Sequence, residues 1–288
     1  MKLLQIPVLK CAAAILLSVF SLLAYAAEPV AMITDLKGKV QLNGAKTHGQ
    51  AAMLTYLAAG EEVVLDAGAA LVLTYFDEAV EYSYKGPARI LIEQKSPKVV
   101  KGGIADVRQL DKEKSLGVSK FARSGKLAFA TVEMRSMVIK PTLLSPVSDK
   151  ISTTTPLFAW KSVNEAEGYL LTLSENGGKP VQQIAVTTNS WQVPSETPLK
   201  PGMKYHWSVE ETLKSGEKTT VIGGFSVADA ETMARVNSKR PANSASLSEK
   251  VTYALYLESE GFREDAKQVW RELAAQRPDD PNLKFRAR

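Results

Sequence analysis

The chain has 288 residues, a formal net charge of +5 and a hydrophobic content of 45%, which is close to the average for a soluble globular protein. Its length suits about two compact domains, and its composition excludes collagen, wholesale disorder and a disulfide-rich miniprotein. It has only two histidines, His48 and His206, and one cysteine, Cys11. Because these residue types supply many nucleophiles, general bases and metal ligands, their scarcity disfavours catalysis.

Residues 1–26 have the pattern of a signal peptide. Lys2 and Lys10 bracket a basic region, and the apolar run that follows, residues 11–24, is shorter than the ~20 residues that span a bilayer. The run ends in Ala24-Tyr25-Ala26, which predicts cleavage after Ala26 and a periplasmic or secreted protein. Cleavage would remove Cys11 and lower the net charge from +5 to +3. No second long apolar stretch follows, so we expect no transmembrane span after cleavage.

Residues 28–110 have the pattern of a small all-β domain. Apolar and polar residues alternate along 38–44, which ends in an Asn-Gly turn signal, and the segments that follow are short and separated by glycine. The predicted strands are 38–44, 62–65, 70–75, 80–84 and 88–92.

The order of these segments resembles the FecR-type domain of bacterial envelope proteins. The matching residues are Gly38-Lys39-Val40, Leu57-x-x-Gly60-Glu61-x-Val63, Gly68-Ala69-x-Leu71-x-Leu73, Gly86-Pro87-Ala88 and Val99-Val100-Lys101-Gly102-Gly103-Ile104-Ala105. The last stretch corresponds to the family's final strand. Asp77-Glu78 departs from the pattern, because the family commonly has an Asp-Gly turn there. The resemblance implies a β domain without a reactive signature.

Residues 93–142 are strongly basic, with eleven lysines and arginines against five acids. We assign 111–142 to a basic connector. One interpretation is an electropositive strip for an anionic envelope polymer, lipid headgroups or an acidic partner. The other is a solvated connector whose basic residues flank ordinary strands or a helix. No aromatic-rich motif accompanies the charge, which argues against nucleic acid as a partner. The candidate binding residues here are Lys98, Lys101, Arg108, Lys120 and Arg123.

Residues 143–227 form the clearest domain of the sequence. The predicted strands are 157–160, 168–173, 181–186, 190–193, 204–209 and 220–225. Two stretches resemble a fibronectin type III-like sandwich: Pro156-Leu157-Phe158-Ala159-Trp160 followed by Tyr169-x-Leu171-x-Leu173, and Leu199-Lys200-Pro201-Gly202-x-x-Tyr205-x-Trp207-x-Val209. In such a sandwich the tyrosine at the corner, here Tyr205, hydrogen-bonds to upstream backbone while its ring joins the core.

Residues 228–288 change to a helical pattern. It predicts a short helix over 228–238, a linker over 239–246 and two further helices over 251–260 and 263–276. Ser248 is the predicted N-cap of the second helix, and Pro278 closes the third.

Five residues in and around these last two helices fall at spacings that resemble a tetratricopeptide helix hairpin: Ala254, Gly261, Ala266, Trp270 and Pro278. The resemblance implies close helix contact at the two alanines, a turn at Gly261 and Trp270 in the groove between the helices. Only one such repeat is visible. The hairpin therefore packs either on the sandwich or against another chain.

The side chains that could carry chemistry favour structural roles. His48 lies in a predicted loop, and His206 alternates with aromatic neighbours on a strand, so it should face solvent. Adjacent acids such as Glu210-Glu211 point to opposite faces of a strand and do not share a substrate. Tryptophans in strand patterns usually fill a core. Trp191, between two polar residues, is the one we expect to be exposed and able to stack on a sugar.

These observations predict a mainly β protein with a short helical C-terminal hairpin and no catalytic residue, cofactor or metal. The favoured function is an exported, non-enzymatic adaptor or sensor module that binds envelope proteins. The alternative is a glycan- or peptidoglycan-binding protein that uses the basic connector and an exposed aromatic residue. A hydrolase with a dispersed carboxylate site is the least favoured.

Overall fold

The computed structural model describes residues 28–44, 48–123, 141–147, 149–162, 166–176 and 178–288, and leaves the side chains of Phe121 and Arg123 undescribed. The predicted signal peptide lies outside the described residues. Within them the chain is mainly β, with four sheets and five short helices, which confirms the predicted fold class. No helix in this part of the chain is long and apolar enough to cross a membrane.

The first β unit contains two five-stranded sheets. Its strands are β1 (Pro29–Lys37), β2 (Val40–Asn43), β3 (His48–Gln50), β4 (Tyr56–Ala58), β5 (Glu62–Leu65), β6 (Ala70–Tyr75), β7 (Val80–Lys85), β8 (Ala88–Ile92), β9 (Pro97–Gly102) and β10 (Asp106–Gln109). The strand orders are β10-β7-β6-β1-β4 and β3-β2-β5-β8-β9. The two sheets share one core, to which Ile33 and Leu73 contribute from the first sheet and Val63 and Ile90 from the second.

Strands β5, β6 and β8 occupy the predicted residues, whereas the predicted final strand at 99–105 is wrong in its bounds. The chain runs along β8 only to Gly102 and then forms β10 in the other sheet. Gly102 has φ +104°, and a Cβ there would lie 2.4 Å from the carbonyl oxygen of Pro87. Only glycine therefore fits where β9 ends. His48 lies in the short strand β3 and not in a loop, although it is exposed as expected.

The predicted connector contains a helix, α1 (Lys112–Arg123). Asp111 accepts a hydrogen bond from the backbone N–H of Lys114 at 3.0 Å, which satisfies one of the free amides of the first turn. Val118 is buried on one side of the helix, whereas Lys120 is exposed. Residues 124–140 lie outside the described residues.

The second β unit is a sandwich of a three-stranded and a five-stranded sheet. Its strands are β11 (Thr142–Ser145), β12 (Lys150–Ile151), β13 (Leu157–Lys161), β14 (Ala166–Glu175), β15 (Pro180–Val186), β16 (Ser190–Gln192), β17 (Lys204–Leu213) and β18 (Lys218–Val227). The orders are β11-β13-β16 and β12-β18-β17-β14-β15. All six predicted strands are present. The hydroxyl oxygen of the buried Tyr205 accepts a hydrogen bond from the N–H of Lys200 at 2.9 Å, as the corner predicted.

Four further helices follow: α2 (Ala230–Ser238), α3 (Leu247–Ser259), α4 (Arg263–Gln276) and α5 (Pro281–Arg286). The predicted N-cap of α3 is wrong, because Ser246 caps the helix in a capping box with Glu249. Ser248 is instead buried and donates a hydrogen bond to Glu81 of β7 at 2.8 Å. The predicted turn at Gly261 is confirmed, since Gly261 has a φ of +86°. Helix α5 was not predicted.

The helical region, which we define as α1–α5, packs on the first β unit. A single apolar core joins Met32 and Phe76 of that unit to Val118 of α1 and to buried residues of α3, α4 and α5. Trp270 of α4 is fully buried and donates a hydrogen bond to Glu258 of α3 at 2.7 Å. Helices α3 and α4 thus share their core with the β unit that lies furthest from them in sequence. The two predicted alternatives, packing on the sandwich or against another chain, did not include this unit.

Candidate protein-binding surface

Strand β9 is exposed on both of its faces. Among the described strands it lies at the edge of its sheet and pairs with β8 alone, and every residue after Pro97 is exposed. An edge strand of this kind presents unpaired backbone N–H and C=O groups to other chains. We call this strand, its following loop and the outer side of β10 the edge surface: Lys98, Val99, Val100, Lys101, Ile104 and Val107.

The pairing of β9 with β8 separates the charged from the apolar residues of the edge surface. Val99 pairs with the buried Ile90, whereas Lys98 pairs with Leu91 and Lys101 with Arg89, so both lysines lie on the outer face.

Val100 is the extra residue at an irregularity in this pairing and is 53% exposed. The two lysines make no ion pair with any residue that the structure describes. The edge surface therefore combines free positive charge with aliphatic groups.

The loop after β9 and the strand β10 extend the aliphatic part. Ile104 is 96% exposed and Val107 is 62% exposed. Val107 pairs with Tyr82 of β7 at the edge of the other sheet. Exposed aliphatic groups are ordinary when single, but several neighbouring ones beside an open strand edge are typical of a binding surface.

Arg108 does not belong to the edge surface. Its guanidinium contacts Glu81 at 2.8 Å and Glu249 of α3 at 2.9 Å, and it also donates to Ser246. Burial by itself raises the pKa of Glu249, but hydrogen bonds from Arg108 and Ser246 outweigh it and hold that pKa below its ordinary value. This predicted binding residue therefore fastens α3 to the first β unit.

The remaining predicted site residues lie on other elements. Lys120 is exposed on α1, and the side chain of Arg123 is outside the described residues. Trp191 lies on β16, half-buried, with its ring centroid 5.8 Å from that of Phe158. The predicted basic site residues whose side chains the structure describes are thus distributed over a strand edge, an ion-pair cluster and a helix.

The other residues that could carry chemistry lie outside the edge surface. His206 is exposed, and Trp160 and Trp207 are buried in the sandwich core, as predicted. Glu211 is fully buried and accepts a hydrogen bond from Ser162, whereas its neighbour Glu210 lies on the opposite face. Among the described residues, no group of three or more histidine, aspartate or glutamate side chains could hold a metal ion.

Sequence reasoning missed the aliphatic members of the edge surface, because Val99–Ala105 matched a family strand and such strands are usually half-buried. One signal was available in Lys98-Val99-Val100-Lys101. Two adjacent valines point to opposite faces of a strand, and lysines on both sides of them are typical of an exposed edge.

No protein-family model matches the chain, and no curated protein matches it either. One similar solved structure is the crystal structure of a β-1,2-glucanase from Parabacteroides distasonis. The two chains are 9% identical over 86% of this chain and 49% of the glucanase, with a TM-score of 0.24. The chain thus spans about half the length of that enzyme, and a likeness of this size carries no argument about fold or activity.

Proposed function

We propose that the chain is an exported, non-enzymatic adaptor of the bacterial envelope, with a FecR-like and a fibronectin III-like domain. It binds an extended segment of a partner protein at the edge surface. The observation that carries the proposal is the edge strand β9, which is exposed on both faces and has free lysines beside exposed valines. In this mode the partner adds a strand, so that backbone hydrogen bonds supply affinity and side chains supply specificity.

The charge of β9 favours an acidic partner over a second copy of the chain. If two β9 strands paired antiparallel with their valines opposite each other, Lys98 of one would face Lys101 of the other. Like charges directly opposite each other on paired strands destabilise the pair. A partner strand with acidic residues at those positions would turn both repulsions into attractions.

Photo-crosslinking in cells tests this mode. A photoreactive residue at Val100 is compared with one at Val181, an equally exposed valine (53% and 52%) on β15, which is the edge strand of another sheet. We expect one envelope protein to crosslink from Val100 and not from Val181. The double substitution Lys98→Glu and Lys101→Glu should lower the yield at least severalfold, because it reverses both charges.

Two outcomes would overturn the proposal: the same adduct from both positions, or a Val100 adduct that is insensitive to the two charge reversals. Binding to purified cell-wall glycan that falls with salt and is lost in Trp191→Ala would instead support the glycan-binding alternative. That alternative depends on Trp191, the aromatic residue that the sequence predicts to stack on a sugar. Its ring is half-buried, so the remaining exposed part is what a sugar would contact.

A further inference from the structure

A second concave site lies where the sandwich meets the helical region. This junction groove has a volume of about 810 Å³. One wall is the outer face of the sheet β11-β13-β16, and the other wall comes from α4 and the end of α2. Ligand sites occur preferentially at such junctions between structural units.

The alternation of β13 explains why the sheet turns polar and aliphatic groups toward the groove. Phe158 and Trp160 point into the sandwich core, so Leu157 and Ala159 point outward. Gln192 of β16 pairs with Leu157 and therefore shares its face. Leu157 is 49% exposed on this outer face.

Two hydrogen bonds join the sandwich to α4 within the lining of the groove. The N–H and hydroxyl groups of Ser152 both donate to the carboxylate of Asp265 on α4, at 3.1 and 2.7 Å. Burial raises the pKa of Asp265, and the bonds from Ser152 oppose that rise. This carboxylate is therefore already used by the protein.

The groove also contains two arginines that make no ion pair. Arg240, after α2, and Arg271, on α4, are exposed, and neither makes an ion pair with the residues that the structure describes. Arg240 lies over the ring of Tyr253, 5.8 Å from its centroid. Its charge also opposes the rise that burial causes in the pKa of Asp265, although the two side chains form no ion pair. Of the acids nearby, Glu264 is paired with Lys267 at 3.4 Å. The groove therefore has two exposed guanidinium groups outside any ion pair of the described residues, and such groups match carboxylates in geometry and charge.

The lining of the groove favours a peptide over a sugar. None of the described residues that line it is aromatic, so this lining offers no ring face on which sugars stack. It offers instead aliphatic groups such as Leu144 and Leu157 beside polar groups such as Gln192 and Gln268. Residues 124–140 of the same chain are not complementary, since they carry three basic residues and one acid.

We propose that the junction groove binds an extended acidic peptide segment, whose side-chain carboxylates contact Arg240 and Arg271 and whose aliphatic side chains pack on Leu157. This site is separate from the edge surface and does not depend on it. The chain would then hold two protein segments, one on the first β unit and one between the sandwich and the helices.

Binding of defined peptides to the exported full-length protein tests the proposal. The probe is a labelled ten-residue peptide in which glutamate alternates with leucine and threonine, and its matched control has glutamine in place of each glutamate. We expect fluorescence anisotropy to show binding of the glutamate peptide alone. The double substitution Arg240→Gln and Arg271→Gln should weaken it by about tenfold or more, because it removes two charge-assisted contacts. Lys204→Gln, an exposed cation on β17, should leave it unchanged.

Three results would overturn the proposal. Equal affinity for the two peptides would show that carboxylates are not recognised, and unchanged affinity in the arginine variant would place the peptide elsewhere. Binding of an acidic oligosaccharide such as oligogalacturonate, with no binding of the peptide, would make the ligand a glycan. The double variant Lys98→Glu and Lys101→Glu separates the two sites. If peptide binding were lost in that variant and kept in the arginine variant, the peptide would bind at the edge surface, and the proposal for the edge surface would stand.

Discussion

The helical region meets the two β units in different ways. Its junction with the first unit is a continuous apolar core, in which Met32, Met53 and Phe76 pack among buried residues of α3 and α4. Its junction with the sandwich combines the partly buried Met233 of α2, which packs against both cores, with the polar contacts of Ser152 with Asp265 and of Asp149 with Arg263, around an open groove.

This difference shows which parts of the molecule form one stable unit. Burial of apolar surface supplies most of the free energy of folding, whereas single polar contacts contribute about 1 kcal/mol each. The first β unit and the helices therefore form one cooperative unit, and the sandwich is attached to it more weakly. A weak junction with a groove is suited to a ligand that bridges both sides.

The largest expected effect comes from removing an apolar side chain from the first junction. Phe76 is 2% exposed and packs against Tyr56, with their ring centroids 5.9 Å apart. Phe76→Ala should lower the free energy of unfolding by about 3–5 kcal/mol, because it leaves a cavity in a shared core. Hydrogen exchange measured by mass spectrometry should show lost protection in the first β unit and in α3 and α4 together.

The matched control is Phe158→Ala, which removes a fully buried ring from the sandwich core. It should lower protection in the sandwich and leave α3 and α4 protected. If it exposed the helices as much as Phe76→Ala does, the two junctions would be equally strong, and the contrast between them would be wrong.

A smaller effect should follow at the second junction. Ser152→Ala removes the hydroxyl that donates to Asp265 at 2.7 Å but keeps the backbone bond. We expect a loss of about 1–2 kcal/mol, since the lost bond is to a charged group. The loss should be confined to exchange of the amides around β12 and the start of α4. An equal loss of protection throughout the first β unit would contradict a local junction.

The smallest effect concerns pH. Burial raises the pKa of Asp149 to about 6, helped by Glu264 and Asp265 and opposed by Arg263 and Lys267. Because this pKa is above that of an unfolded aspartate, the protonated carboxyl of Asp149 favours the folded state. Its contribution to the free energy of unfolding is complete below about pH 4 and is lost as pH rises through about 6. At pH 8 the free energy of unfolding of Asp149→Asn should therefore exceed that of the wild type by about 1 kcal/mol, whereas at pH 4 the two should differ little.

Arg263→Gln supplies the reverse control for this prediction. It removes a cation 3.6 Å from the carboxylate of Asp149 and should raise the pKa of Asp149 further. Chemical denaturation at pH 4, 6 and 8 measures both variants. If Asp149→Asn were destabilising at every pH by the same amount, titration of Asp149 would not govern this junction.

Much of the local structure could be predicted because its signals are local. Alternation placed β5, β6 and β8 at the observed residues, and the Tyr205 corner formed the predicted bond. The cap of α3 was misplaced by two residues, since both Ser246 and Ser248 suit an N-cap. Burial of Ser248 against Glu81 of β7 excludes it from that role. The partner that decides between them is 167 positions away.

The candidate sites were predicted less well, for the same reason. The sequence identified Lys98, Lys101 and Arg108 as basic, but it could not tell a free lysine on a strand edge from an arginine held by Glu81 and Glu249. It also gave no indication of the junction groove, whose walls come from the sandwich and from helices that follow it in sequence.

The sequence by itself determined the mainly β fold class, the alternation of most strands and the helical hairpin at the C-terminus. These depend on side-chain periodicity and on turn residues, which act over a few positions. Only the tertiary structure decided that the hairpin covers the first β unit, that β9 is an edge strand among the described strands and that Arg240 and Arg271 make no ion pair with the described residues. Such outcomes depend on which distant surfaces bury the most apolar area together, and periodicity does not encode that pairing.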